Sequence, residues 1–293
     1  MSRLAKLEVI GVVVHPTRDI DGALDKVRGW ADEHDVEVAQ VAVEGQERRV
    51  ADEREAADCD LIAAIGGDGT MLAAISAAAR VDRPVLGIAC GSLGVLTSVN
   101  ARDAAAALDS FSTGDWQARK IPALEVLRDD DSDPLVALND VAITRQGQGQ
   151  VATSAEVDGV LYARFVGDGF VVTTPLGSSG YTLAAGGPLL APGGNAFALT
   201  PLAKHGGCVP ALVIGAESRL VLEVEPGYGG VRLEHDGRPI EPEAEKLAIT
   251  LRSEAATVVG LEGQQPILTG LRRKKLIMDS PRVLAREARD GDD

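Results

Sequence analysis

Over its first ninety residues the chain alternates short apolar runs with stretches of helical periodicity, and this alternation limits the available folds more than any other feature. Leu7–Val14 reads LEVIGVVV, a nearly continuous β-branched run of the kind that forms a strand buried on both faces. From Asp21 to His34 the apolar residues Ala23, Leu24, Val27, Trp30 and Ala31 recur at the spacing of one helix face. Val36–Val43 returns to extended alternation. Leu61–Ile65 (LIAAI) and Pro84–Ile88 (PVLGI) have the pattern of buried strands, and the alanine-rich Met71–Ala79 between them predicts a helix. Strands alternating with helices predict an open parallel sheet, whose ligands gather beyond the carboxyl ends of the strands.

Past about Trp116 the rhythm changes. Leu135–Thr144, Ala155–Val157, Phe170–Thr174, Leu220–Val224, Val231–Glu234 and Ala248–Leu251 are short extended runs divided by Gly, Pro and Asp turns. The expectation is an α/β domain with an open parallel sheet over residues 1–115 and an all-β, sandwich-like domain over 116–270. A C-terminal segment, 271–293, would follow, with a frayed polar end. Asp129–Pro134 reads as a solvated hairpin loop and Pro192-Gly193-Gly194-Asn195 as a turn.

Charge and composition exclude several functions. With 29 basic against 44 acidic residues the net charge is −15, which repels nucleic acid. The one dense basic run, Arg272-Arg273-Lys274-Lys275, reads as a solvated helix face. No run approaches the roughly 20 apolar residues of a membrane span, and the N-terminal residues lack the apolar stretch of a signal peptide. The sequence therefore predicts a cytoplasmic protein with no membrane partner. Cys59, Cys90 and Cys208 form no C-x-x-C pair and read as small buried hydrophobes. The four histidines show no metal-ligand spacing.

Three clusters carry chemistry. Gly66-Gly67-Asp68-Gly69-Thr70 lies between a strand and a helix, where glycines with positive φ let the backbone approach a ligand and the helix N-terminus offers N–H groups to phosphate. Asp68 would repel that phosphate unless it accepts a hydroxyl proton, binds a ribose or helps hold a metal, all of which point to phosphoryl transfer; the other reading is a tight turn whose Asp caps the helix. Gly167-Asp168-Gly169 precedes an extended run and the loop Pro175-Leu176-Gly177-Ser178-Ser179-Gly180-Tyr181-Thr182, rich in small residues and hydroxyls that can wrap a nucleotide. Its glycines are too close for a serine-hydrolase elbow, and Tyr181 either stacks on a base or is structural. Asn139-Asp140 breaks an apolar strand pattern, as a bulge at a domain edge or as a pair reaching for ligand hydroxyls.

In this order the clusters resemble the NAD kinase family, whose members use ATP or polyphosphate. The likeness runs from about Asp60 to Asp236. It comprises GGDGTML at Gly66–Leu72, VLGIACGSLGVLT at Val85–Thr97, ALNDVAITR at Ala137–Arg145, GDGFVVTTPLGSSGYTLAAGGPLLAP at Gly167–Pro192, LTPLAKHGG at Leu199–Gly207 and HDGRP at His235–Pro239. A GGDGT alone also fits lipid kinases related to diacylglycerol kinase, but the Gly-Asp-Gly to Tyr block does not resemble theirs.

The resemblance implies an N-terminal α/β domain and a C-terminal β-sandwich, assembled as a homo-oligomer (dimer or tetramer). The implied reaction phosphorylates the adenosine-ribose 2′-hydroxyl of NAD, giving NADP. ATP or polyphosphate is the donor, Mg²⁺ or another divalent cation accompanies ATP, and there is no tightly bound organic cofactor. By the same implication Asp68 is the proton acceptor. NAD is contacted by Asp68, Gly69, Asn139, Asp140, Asp168, Ser179, Gly180, Tyr181 and Thr182, while Gly66 and Gly67 face the phosphate donor; no metal ligands are identified. The chain departs from the family pattern at Asp140 (usually Glu), Ala89 (commonly Asn), Leu176 (Thr or Ser), Val166 (a place Arg can hold), Arg238 (often Gln), Ser179-Gly180 (usually Thr-Ala) and Ala184 (often Ser). Two other readings stand beside this one: a kinase diverged toward another nucleotide or sugar, and a catalytically weak NAD(P)-binding sensor.

Overall fold

The computed structural model describes residues 6–91, 94, 96–129, 133–241, 245–264 and 266–290. The first part runs β1 (Val9–Val14), α1 (Asp21–His34), β2 (Glu37–Val41), β3 (Glu53–Arg54), β4 (Leu61–Gly66), α2 (Asp68–Ala79), β5 (Pro84–Ala89), β6 (Val99–Asn100) and α3 (Ala104–Thr113). Its strands pair in parallel in the order β3-β2-β1-β4-β5, with β6 on β5. Alternate residues explain why the strand sequences are apolar throughout. Ile10, Val12, Val14, Leu61, Ala63 and Ile65 pack with α1 and α3. Val13, Ile62, Ala64 and Val85 pack on the opposite face with Met71, Ala74, Ile75 and Ala78 of α2. The five residues that helical spacing assigned to the buried face of α1 are all buried. α2 starts three residues earlier than the alanine-rich run suggested, with Asp68 in its first turn.

The second part comprises β7 (Gln117–Arg128), β8 (Leu135–Ala137), β9 (Asp140–Arg145), β10 (Val151–Val157), β11 (Val160–Gly167), β12 (Gly169–Thr173), α4 (Tyr181–Ala184), β13 (Ala196–Leu202), β14 (Leu212–Gly215), β15 (Leu220–Glu225), β16 (Val231–His235), β17 (Arg238–Ile240) and β18 (Lys246–Gly260). A six-stranded sheet, β14-β13-β12-β9-β16-β17, faces β11, β10, β15, β18 and β7. Phe170, Phe197, Ile143 and Leu233 from one layer interdigitate with Val126, Leu222 and Ile249 from the other, the arrangement of an aligned sandwich. β18 does more than the short run Ala248–Leu251 implied. It pairs antiparallel with β7 along its length, and at Thr257 and Val258 it runs parallel to β5, so one twelve-stranded sheet carries both parts. α2, on that sheet, also packs with Ile121, Ala123, Leu138 and Leu176.

Several expectations are corrected. Leu135–Thr144 is two strands broken at Leu138-Asn139. Cys208 is exposed, unlike Cys59 and Cys90, so burial holds for two of the three. α5 (Ile267–Arg273) is followed by a helix, α6 (Pro281–Asp290), and residues 291–293 of the expected frayed end lie outside the described residues. Within the expected Asp129–Pro134 loop, residues 130–132 lie outside the described residues. Among the described residues no helix is long and apolar enough to cross a membrane.

Candidate active site

β4 brings the chain to the carboxyl edge of the parallel sheet at Gly66, and α2 leaves from there. Gly67 is its N-cap, with φ −123° and ψ −163°, and no side chain caps the helix. This removes the reading of Asp68 as a capping residue. Positive φ does not explain these glycines either, since Gly66, Gly67 and Gly69 all lie outside the left-handed region. Close packing requires the first: a Cβ on Gly66 would stand 2.3 Å from Thr70 Oγ1. On Gly67 it would meet Arg18 Nη1 at 3.5 Å, and on Gly69 it would meet nothing within 4 Å.

Asp68 has neighbours from two distant segments. Its Oδ1 accepts the Leu96 amide at 3.0 Å, and its Oδ2 accepts from Lys274 Nζ at 2.5 Å. Gly94 lets that loop come close, because a Cβ there would stand 2.1 Å from Oδ1. Lys274 is the C-cap of α5, so the basic run expected on a solvated face in fact reaches back to this turn. Arg273 also donates to Gly94 O at 3.3 Å, while Arg272 pairs with Asp279. On the other side, Arg18 Nη1 donates to Cys90 O at 3.0 Å. The glycine turn is thus flanked by a lysine, by an arginine and by the N-terminus of α2, a setting that favours anions.

Asn139 and Asp140 occupy the break between β8 and β9, held by a carboxylate from the far end of the chain. Asp236 accepts the amides of Leu138 (3.0 Å), Asn139 (2.6 Å) and Asp140 (3.3 Å). Asp236 and Gly237 form the two-residue turn joining β16 to β17, at φ 47° and 75°, as an Asp-Gly hairpin turn requires. On the other side of the break, Asn139 O accepts Thr174 N at 2.9 Å. A Cβ on Gly177 would stand 2.2 Å from that oxygen, so the hydroxyl-rich loop presses on the Asn139 backbone.

Burial, with Asp236 and Glu234 nearby, pushes the Asp140 carboxyl up to about 6. The Tyr181 hydroxyl is also pushed up, by burial first and then by Glu234, Asp140 and Asp168. Asp168 pairs with Arg145 Nε at 2.6 Å; both line, with Tyr181, a recess of about 530 Å³. Ser179 is half-buried and Gly180 exposed, but Thr182 is fully buried and its hydroxyl has no partner among the described residues. A second cleft, of about 390 Å³, has Gly69 on one wall and His235, Asp236 and Arg238 on the other. The sequence clusters are therefore contiguous: Gly69 shares a cleft with Asp236, Asp236 holds Asn139 and Asp140, and Asp140 shares its field with Tyr181.

Sequence reasoning missed Lys274, Arg18 and the role of Asp236. The Asp-Gly between two extended runs was a readable hairpin signal; nothing in the spacing pointed to the other two. Among the described residues no group of three or more His, Cys, Asp or Glu side chains is placed to hold a metal ion.

The family model described as the ATP-NAD kinase N-terminal domain matches residues 10–116, and that described as the ATP-NAD kinase C-terminal domain matches residues 138–245. The NAD kinase of Clostridium beijerinckii is 30% identical over 235 residues, 78% of this chain and 81% of that protein. The NAD kinase of Symbiobacterium thermophilum is 35% identical over 184 residues, 61% of this chain and 65% of that one. Yeast NADH kinase, solved with NADH, superposes with a TM-score of 0.77 at 19% identity, covering 94% of this chain and 90% of the other. An NAD kinase from Archaeoglobus fulgidus, solved with ATP, gives 0.72 at 22% identity, covering 92% and 100%. At these identities the two structures establish likeness of fold.

Proposed function

The chain belongs to the NAD kinase family, and on that premise we propose that it transfers the γ-phosphoryl group of ATP to the adenosine-ribose 2′-hydroxyl of NAD, giving NADP and ADP. One observation carries the mechanism: a carboxylate at the phosphate-facing turn, Asp68, has each oxygen held by a donor, the Leu96 amide and Lys274. In the proposed reading the 2′-hydroxyl approaches this positioned carboxylate as a proton donor.

In this reading the ribose lies over Gly69, where nothing obstructs it. As the 2′-oxygen bonds to the γ-phosphorus, its proton passes to Asp68 and the bond from γ-phosphorus to the β,γ-bridging oxygen breaks. Arg18, the amides at the start of α2, Gly66 and Gly67 face the donor phosphates. A divalent cation enters with ATP, as part of the substrate, and needs few protein ligands beyond the phosphates. Asn139, Asp140, Asp168, Ser179, Gly180 and Tyr181 hold NAD, and buried Thr182 supports the loop from behind. The domain division near residue 116, the cytoplasmic location and a dimeric or tetrameric assembly belong to the same proposal. The curated relatives compared above are NAD kinases, which supports an enzyme over a sensor.

The test is incubation of purified protein with Mg²⁺ and either ATP or polyphosphate, and with NAD, NADH or other nucleosides as acceptors. The phosphorylated product is identified by ³¹P NMR. NADP formed from NAD and ATP is the expected result; no phosphoryl transfer to NAD, or transfer only to another acceptor, overturns the proposal.

A further inference from the structure

A cleft of about 490 Å³ reaches Pro175 and Leu176, just before the Gly177–Tyr181 loop, and is also lined by Arg119, Lys120, Gln264 and Ile267. That volume lies within the range of small-molecule sites. Arg119 is half-buried, and burial lowers its guanidinium pKa from the ordinary value. Its side chain has no hydrogen bond or ion pair among the described residues, whereas neighbouring Lys120 is engaged by Thr257 and Glu254. In a chain with 44 carboxylates, a half-buried cation without one is unusual, since charges leaving water are normally paired. The room for it is built in: a Cβ on Gly260 would stand 3.1 Å from Arg119 Cδ, so the glycine lets the arginine stem lie against the backbone.

We propose that this cleft is a second binding site, for a small organic oxyanion (a phosphate monoester or carboxylate on an apolar body), with Arg119 as its counter-ion. Guanidinium recognises either oxyanion through paired N–H donors. Pro175, Leu176, Leu261 and Ile267 supply the apolar wall. The position also gives the ligand leverage on catalysis. Leu176 leads directly into the Gly177–Tyr181 loop. Gln264 Nε2 reaches Thr97 O at 3.5 Å, one residue from the Leu96 amide that holds Asp68. Ile267 opens α5, which ends at Lys274. Occupancy therefore alters turnover from outside the NAD site; this effect rests on the proposed kinase reading, but the binding does not.

Calorimetric titration of the full chain with phenyl phosphate, benzoate and inorganic phosphate tests the binding, in the parent, Arg119→Gln and Arg119→Lys. Phenyl phosphate or benzoate is expected to bind the parent, more tightly than inorganic phosphate. Affinity should fall about tenfold or more in Arg119→Gln and less in Arg119→Lys. Saturating NAD and ATP should leave binding in place, and Arg119→Gln should keep the parent's basal activity and thermal midpoint. Equal affinity in parent and Gln variant, displacement by NAD or ATP, or no binding of any probe would overturn the proposal. So would a changed oligomeric mass in Arg119→Gln, because the cleft would then be occupied by a second copy of the chain.

Discussion

Lys274 Nζ lies 2.5 Å from Asp68 Oδ2, across 206 residues of sequence. Both side chains are partly solvated, at 41% and 30% exposure, so the pair adds little to stability. What the contact does is fix the orientation of the carboxylate. Lys274→Met is expected to lower kcat about tenfold, since small misplacements of a reacting group are costly. The KM for NAD should change little and the unfolding free energy by less than about 1 kcal/mol. Steady-state kinetics and denaturant unfolding check this; an unchanged kcat would remove Lys274 from the mechanism.

Gly69 tests the proposed placement of the ribose. No described neighbour obstructs a Cβ there and its φ is ordinary, and in a helix alanine is more favourable than glycine by roughly 0.5–1 kcal/mol. Gly69→Ala should therefore be as stable as the parent or more so, yet raise the KM for NAD because the added methyl meets the ribose. Stability and KM both unchanged would mean that no ligand approaches this position. Gly66→Ala, by contrast, should destabilise the fold through its contact with Thr70.

How much was readable in advance follows from which forces act locally. The strands and α1 were legible because burial on one or both faces imposes a period on the residues themselves, as in Leu61–Ile65 and Ala23–Ala31. The Asp68, Asn139 and Tyr181 clusters stood out because polar or glycine residues interrupt those periods. The long strand β18 did not, since its burial depends on β7, β15 and β5, partners far away in sequence. Lys274 was misjudged for the same reason. A lysine in a basic run carries no mark of which distant carboxylate it will meet.

Asp140 supplies a pH test. Its carboxyl is raised to about 6 by burial and by Asp236 and Glu234, so the folded state holds its proton more tightly than the unfolded chain. The stability this contributes is fully present below the unfolded value, near 4, and is lost as pH rises through about 6. Asp140→Asn keeps the shape and the backbone bond to Asp236 without that titration. The variant should gain about 1–2 kcal/mol over the parent between pH 4 and pH 8, after allowance for solvent screening. Denaturant unfolding at both values checks this, and a difference independent of pH would contradict it.

The central claim is that Asp68 accepts the proton of the NAD 2′-hydroxyl. Asp68→Asn preserves size and hydrogen-bonding oxygen but has no useful basicity, and loss of a general base typically costs about 100- to 10,000-fold. The decisive measurement is the rate of NADP formation by Asp68→Asn at saturating NAD and ATP, with the NAD dissociation constant determined on the same protein. The account predicts a rate at least about 100-fold below the parent, with NAD affinity changed only modestly. A rate above half that of the parent would contradict it.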